Sequence, residues 1–213
     1  CNVIFAAAPS QNEVLAALIA RTDIEWGRVN AFHMDEYIGL APDAPQGFAN
    51  FLRAAIFDRV PLRTVNCLDG AAASRDAAAE CARYSELLRE YPVDITCMGI
   101  GENGHIAFND PPVADFDDPA LVKPVALDEI CRNQQVHDGC FASLDDVPTH
   151  ALTLTVPALM RAKHVFCVVP APAKAPAVRD TLLGEISTAC PASILRRHPD
   201  AVLYLDEDSA ALL

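Results

Sequence analysis

The chain has 213 residues, 52% of them hydrophobic, eight cysteines and a formal net charge of −13. That length supports one α/β domain with its own core, and the longest apolar runs, such as residues 165–170, are far too short to span a bilayer. The charge disfavours nucleic acid and anionic membrane as partners, since both need a positive surface, but it leaves room for a small anionic substrate held by a few local donors.

The sequence opens directly on a strand-like run, Val3, Ile4, Phe5 and Ala6, without the basic and apolar regions of a secretory leader, so none is expected in this stretch. The cysteines stand at positions 1, 67, 81, 97, 131, 140, 167 and 190 with no CxxC pair. They read as free thiols of a cytoplasmic protein rather than a disulfide framework or a structural zinc site.

Apolar, β-rich runs predict strands over residues 3–8, 29–34, 64–68, 93–100, 151–156, 164–169 and 201–205. Amphipathic or Ala/Leu/Glu-rich stretches predict helices over 12–21, 47–57, 74–89 and 174–183. In the third of these, Ser74 offers an N-cap, without a capping box because Ala77 stands three residues on, and Glu80 and Arg83 fall on the exposed side. The Asp/Pro-rich segment 111–119 (PPVADFDDP) reads as a loop and a candidate lid. Strand–helix alternation with near-continuously apolar strands predicts an α/β fold whose mostly parallel sheet carries helices on both faces.

Ligands of such sheets bind at the carboxyl ends of the strands, which draws attention to two stretches. HMDEY (33–37) places Asp35 and Glu36 after the second predicted strand, where a carboxylate in a partly apolar cleft gains basicity. An acidic turn is the commoner setting for so short a motif. GIGENGHIAFND (99–110) is more informative. Gly99, Gly101 and Gly104 permit φ > 0 and close approach of a ligand to main-chain N–H groups, as an anion or oxyanion requires. His105 adds an imidazole, a group suited to moving protons near neutral pH, with Asp110 five residues on to set its tautomer. No helix with a downstream acid follows, so this is not a dinucleotide fingerprint, and no Gly-Lys-Ser/Thr follows, so it is not a P-loop.

FHMDEYIGL and GIGENGHIAFNDP, in this order, together with VPTHALTLTV, KAPAVRDTLLG and RRHPDAVLYLDEDSA, closely resemble the glucosamine-6-phosphate deaminase/isomerase family over nearly the whole chain. The related 6-phosphogluconolactonases share the Gly-His element but typically continue without IAFN and lack MDEY. The resemblance implies a single glucosamine-6-phosphate isomerase-like domain over 1–213, a Rossmann-like three-layer α/β/α fold. It further implies a metal-free and cofactor-free enzyme, formally a hydrolase, that converts glucosamine 6-phosphate and water into fructose 6-phosphate and ammonia. In that scheme Asp35 shuttles a proton between C2 and C1 through an enediol-type intermediate. His105 assists ring opening, tuned by Asn103 and Asp110. Substrate contacts are expected from Ser10, Gln11, Glu36, Gly101, Gly104, Arg132 and Lys174. The partner implied is a small sugar phosphate, and a homo-oligomer is compatible with the family.

The sequence departs from the family in four places. Asn103 stands where aspartate is frequent, and Asp110 replaces a glutamate, shortening the acid's reach by about 1.5 Å. Residues 6–11 (AAAPSQ) replace a Gly/Thr-rich phosphate loop, with Ser10 as hydroxyl donor and Pro9 lacking an N–H. The family's phosphate-binding arginine falls near Gly139, leaving Arg132 as the nearest guanidinium. Gln134, Gln135 and His137 lie in what reads as a polar loop. These departures keep two alternatives open, a lactonase-like hydrolase using His105 to activate water and a non-catalytic sugar-phosphate-binding protein.

Overall fold

The computed structural model describes residues 1–213. Nine strands follow along the chain: β1 (Asn2–Phe5), β2 (Asn30–His33), β3 (Asp35–Tyr37), β4 (Thr64–Asn66), β5 (Ile95–Met98), β6 (Val122–Ala126), β7 (His150–Leu154), β8 (His164–Val169) and β9 (Ala201–Leu205). The α-helices are α1 (Asn12–Ile19), α2 (Phe48–Leu52, continued by a π-turn over Arg53–Phe57), α3 (Gly70–Glu90), α4 (Glu129–His137), α5 (Val156–Met160) and α6 (Ala175–Leu183).

Six strands pair in the order β4-β2-β1-β5-β8-β9, all parallel. Because alternate side chains leave a strand on opposite faces, β1 feeds two cores at once. Ile4 packs with Tyr84 and Leu88 of α3 and Val178 of α6, while Val3 and Phe5 pack with Leu15 of α1 and Leu52 of α2. The result is the expected helix–sheet–helix layering. The chain runs β1, β2, β4 to one side and then returns to place β5 on the other flank of β1. The strand order therefore reverses between β1 and β5, the place where open parallel sheets bind ligands.

Strands β3, β7 and β6 form a separate antiparallel sheet beside the carboxyl ends of the main one. Residues 151–154 of the run 151–156, expected in the parallel sheet, belong here, while Thr155 caps α5 and Val156 opens it, and the MDEY segment read as a turn contains β3. Leaving β2, the chain passes through Met34, whose carbonyl accepts the Leu154 N–H at 2.8 Å, and pairs Asp35 with Thr153. Asp35 thus sits where the backbone steps from one sheet to the other.

α3 starts four residues before its expected boundary. Asp69 is the N-cap, accepting from the Ala72 N–H, and Ser74 lies inside the helix, donating to the Gly70 carbonyl. The helix kinks at Asp76, whose carboxylate caps the second segment through the Ala79 N–H. Glu80, placed on the solvent face by its charge, is buried instead; it accepts from the Asp69 N–H and pairs with Arg83. The Tyr84 hydroxyl on the same helix accepts from the His33 N–H at 3.1 Å and reaches the carbonyls of His33 and Asn66 at 2.9 and 3.0 Å. Tyr84→Phe would leave that buried N–H unpaired. It is expected to lower unfolding free energy by about 1–3 kcal/mol in a urea titration, without changing the slope.

Candidate active site

Four strand ends of the main sheet converge on one cavity of about 60 Å³. Ala6, Ala7, Ala8, Ser10 and Gln11 come from beyond β1, Met34 and Asp35 from β2, Gly99 to Gly101 and His105 from β5, and Lys174 from beyond β8. Phe48 and Phe108 complete the wall, their rings stacked with centroids 5.5 Å apart. Residues 35 and 105, seventy positions apart in the chain, face the same space.

Asp35 is 6% exposed, and no hydrogen-bond donor from the chain satisfies its carboxylate. Burial, helped by the Glu36 charge, holds its pKa well above the ordinary carboxylate value. Such a group is basic and uncommitted, as a proton-abstracting base must be.

His105 is fixed from one side only. Its Nδ1 lies 2.8 Å from Asn103 Oδ1 and 3.0 Å from Asp110 Oδ1, and its backbone N–H donates to the same Asn103 oxygen. Asn103 Nδ2 donates in turn to Asp110 Oδ1 at 2.8 Å. Two acceptors facing Nδ1 assign the ring proton there and leave Nε2 for a ligand. Burial alone would push Asp110 up, but hydrogen bonds and charge from His105, with further bonds from Asn103 and the Cys131 thiol, bring it below the usual value, so it stays ionised. Asn103 and Asp110 thus orient His105 and stand behind it rather than in the cavity.

Lys174 precedes α6 in a 3-10 turn entered through Ala171, which is held at φ 85° with its N–H on Asp206. A non-glycine residue there stores about 1–3 kcal/mol of strain, a cost found where a functional side chain must be delivered. Lys174 is 7% exposed; burial lowers its pKa, an effect the Asp138 and Glu102 charges partly offset. Ser10 and Gln11 form the 3-10 turn after β1, with Gln11 Nε2 bonded to the Val168 carbonyl and Ser10 Oγ.

Of the expected substrate contacts, Glu36, Gly104 and Arg132 lie outside the cavity wall, and Gly101 lines it with its N–H already engaged. Glu36 follows Asp35 on a strand and so leaves on the opposite face. It lines a different cavity, of about 490 Å³, and its carboxylate accepts the Tyr37, Phe48 and Ala49 N–H groups, capping α2. The Gly101 N–H is taken by the His105 carbonyl at 2.9 Å and the Gly104 N–H by the Gly101 carbonyl at 3.0 Å, so neither is free for an oxyanion. Their glycine character has other causes: a Cβ on Gly101 would overlap the His105 ring, and Gly104 adopts φ +81° against Cys190. The Arg132 guanidinium donates to the Leu144 and Val147 carbonyls at 2.7 and 2.9 Å, tying α4 to the following turn, and is not part of the cavity wall.

The polar loop expected around residues 131–141 is helix α4 up to His137. It brings Gln134 and Gln135 to the cavity, each less than a tenth exposed. Its buried positions, Cys131, Gln134 and Gln135, keep i, i+3, i+4 spacing, but two of them are amides, so hydrophobic periodicity misses the helix. The legible signal was Asp128, an N-cap that accepts from the Ile130 N–H.

His105, Asp110 and Cys131 place one donor atom each within 4.8 Å of one another. The Nδ1–Oδ1 hydrogen bond uses two of those atoms, and burial with the Asp110 charge keeps Cys131 a thiol rather than the thiolate a metal takes. The trio fits a hydrogen-bonded relay better than a metal centre. No helix is long and apolar enough to cross a membrane.

The family described as glucosamine-6-phosphate isomerases/6-phosphogluconolactonase matches residues 9–204. A glucosamine-6-phosphate deaminase of Listeria monocytogenes serotype 4a is 36% identical over 212 residues, 100% of this chain and 88% of the relative. One from Lactobacillus delbrueckii subsp. bulgaricus is 34% identical over 92% of this chain and 80% of its own length. The solved structure of a monomeric glucosamine-6-phosphate deaminase superposes with a TM-score of 0.91 at 30% identity, covering all of this chain and 88% of that one. A 6-phosphogluconolactonase from Thermotoga maritima shares the fold, with a TM-score of 0.75 at 20% identity over 96% of this chain and 84% of its own. With a matching family model over most of its length and full-length relatives above 30% identity, the chain belongs to the glucosamine-6-phosphate isomerase/6-phosphogluconolactonase family.

Proposed function

We propose that this chain deaminates and isomerises an amino-sugar phosphate of the glucosamine 6-phosphate type, yielding the ketose phosphate and ammonia. The observation that carries the reading is the convergence of Asp35 and His105 on one cavity at the switch point of the sheet, in a chain 36% identical to a glucosamine-6-phosphate deaminase.

His105, with its proton on Nδ1, offers Nε2 to the anomeric hydroxyl and assists ring opening. The Asp35 carboxylate then takes the C2 proton, and the electron pair moves towards the aldehyde oxygen to give an enediol-type intermediate. Asp35 returns the proton to C1, leaving an imine at C2. Water adds there and ammonia leaves, so substrate plus water balances ketose phosphate plus ammonia. Burial of Asp35 serves the proton abstraction by raising its affinity for the proton, and the Asn103–Asp110 pair fixes the orientation and tautomer of the imidazole. Lys174 and Ser10 are the groups placed to meet the phosphate. No step draws on a cofactor.

The test is direct. Glucosamine 6-phosphate incubated with the protein should release ammonia and fructose 6-phosphate in equal amounts, followed by coupled assays for each. Hydrolysis of 6-phosphogluconolactone without ammonia release from any amino-sugar phosphate would overturn the reading.

A further inference from the structure

Lys174 reaches the catalytic cavity from a turn whose geometry is fixed outside that cavity. Val169 pairs with Leu205 at the ends of the parallel strands β8 and β9, so the residues that follow each strand emerge side by side. Pro170, Ala171 and Pro172 leave β8, and Asp206 leaves β9. Across the gap the Ala171 N–H donates to Asp206 Oδ2 at 2.9 Å. The Ala171 carbonyl accepts the Lys174 N–H at 3.1 Å, closing the 3-10 turn that carries the ammonium.

Ala171 has φ 85° and ψ 147°. The proline after it accounts for the extended ψ, because a residue before proline is pushed out of the helical region. Neither proline accounts for the positive φ, which together with that ψ borders a region ordinarily left to glycine. A residue strained in this way stays there only where its surroundings over-determine it. Asp206 supplies the hydrogen bond that does so, and its own side chain is fixed in turn, since Oδ1 accepts the N–H of the buried Ser209 at 2.7 Å. Each carboxylate oxygen thus takes one backbone N–H, and the bonds from Ala171 and Ser209 hold the carboxyl below the ordinary value, so it is ionised at neutral pH. Asp206 is exposed and does not line the catalytic cavity, whereas Lys174 is buried and does.

We propose that Asp206 is a positioning residue for Lys174: by holding Ala171 at positive φ, it sets the turn that aims the ammonium into the catalytic cavity. The inference rests on the reading of Lys174 as a phosphate contact. It extends the substrate-binding machinery to the end of β9, a strand that contributes nothing to the cavity wall.

The experiment measures KM and kcat for glucosamine 6-phosphate in the wild-type chain, Lys174→Ala, Asp206→Ala, Asp206→Ser and the double variant Asp206→Ala/Ala171→Gly. Lys174→Ala should raise KM about tenfold or more, the loss of one charge-assisted hydrogen bond. Asp206→Ala should raise KM about fivefold or more and leave kcat within about twofold, the signature of weakened binding rather than weakened chemistry. By charge alone, removing an acid near a phosphate would tighten binding, so a rise in KM reports geometry. Asp206→Ser keeps a hydroxyl within reach of the Ser209 N–H three residues on but gives up the Ala171 N–H, so it should match Asp206→Ala, and it is read in its place should that variant fail to fold. Glycine takes positive φ without strain, so Ala171→Gly should bring KM of the Asp206→Ala chain back to within about twofold of wild type. Wild-type KM in the Asp206 variants, a rise that Ala171→Gly leaves in place, or wild-type KM in Lys174→Ala overturns the inference while ammonia release leaves the deaminase reading standing. If the wild type releases no ammonia, that reading fails by itself, and calorimetric binding of glucosamine 6-phosphate decides. Affinity lost in Asp206→Ala and regained with Ala171→Gly upholds the positioning role; binding absent from the wild type, or unchanged in Asp206→Ala, overturns it.

Discussion

Asp35→Asn is expected to lower kcat for ammonia release by about 10²–10⁴-fold, the range supplied by a positioned general base, with little change in KM. The amide keeps the volume and polarity of the buried carboxyl but cannot accept the C2 proton. Two further readouts separate this from a packing defect. Because burial raises the folded-state pKa of Asp35, wild-type kcat/KM should climb with pH as the free carboxyl ionises, and the climb ends at that raised pKa. Stability should move the opposite way. Above the unfolded pKa, near the ordinary carboxylate value of 3.8, the unfolded chain has lost this proton while the folded chain still holds it, so stability falls as pH rises until the folded pKa is passed. The asparagine variant lacks that fall and should melt higher than wild type at neutral pH. A variant that keeps its ammonia release, or a lactone hydrolysis indifferent to the change, would remove Asp35 from the mechanism.

Gly101→Ala should be nearly as damaging although it adds a single methyl group and removes no functional one. An added Cβ would overlap the His105 ring, held on its far side by Asn103 and Asp110. The imidazole must move, and misplacement of a catalytic group by about 1 Å costs on the order of 10²-fold in rate. Overpacking adds an expected loss of about 1–3 kcal/mol in stability, measurable by denaturant unfolding. The rate loss should persist under conditions where the variant is fully folded, which distinguishes a displaced His105 from an unfolded population. Wild-type turnover in a folded Gly101→Ala chain would show that His105 has no fixed part in the reaction.

Much of the layered fold was legible because its signals are local. The strands over His164–Val169 and Ala201–Leu205 match their apolar runs residue for residue, since β-branched and aromatic residues between turn formers leave little else for the backbone to do. α4 and β6 were not legible. The inward positions of α4 carry Cys and Gln because they face a polar cavity, and β6 (VKPVA) contains a lysine and a proline tolerable only at the edge of the small sheet. The departure in α4 lies beside the site, where the wall of a cavity rather than a packed core selects the residue.

Asp35 and His105 were legible as chemistry, an acid and an imidazole each placed just past an apolar strand. The sequence by itself determined which reactive groups the chain owns, and at which strand ends they emerge, because strand formation and turn chemistry depend on neighbours a few residues away. Only the tertiary structure decided which of them are free to act. Asp35 and Glu36 are adjacent, yet the pleat sends one to the cavity and the other to cap α2. Arg132 is spent on two carbonyls, and the Gly101 and Gly104 N–H groups on their own loop. Availability of a donor or acceptor is set by whatever else has come within about 3 Å of it, which the folded arrangement decides and no local run of residues encodes.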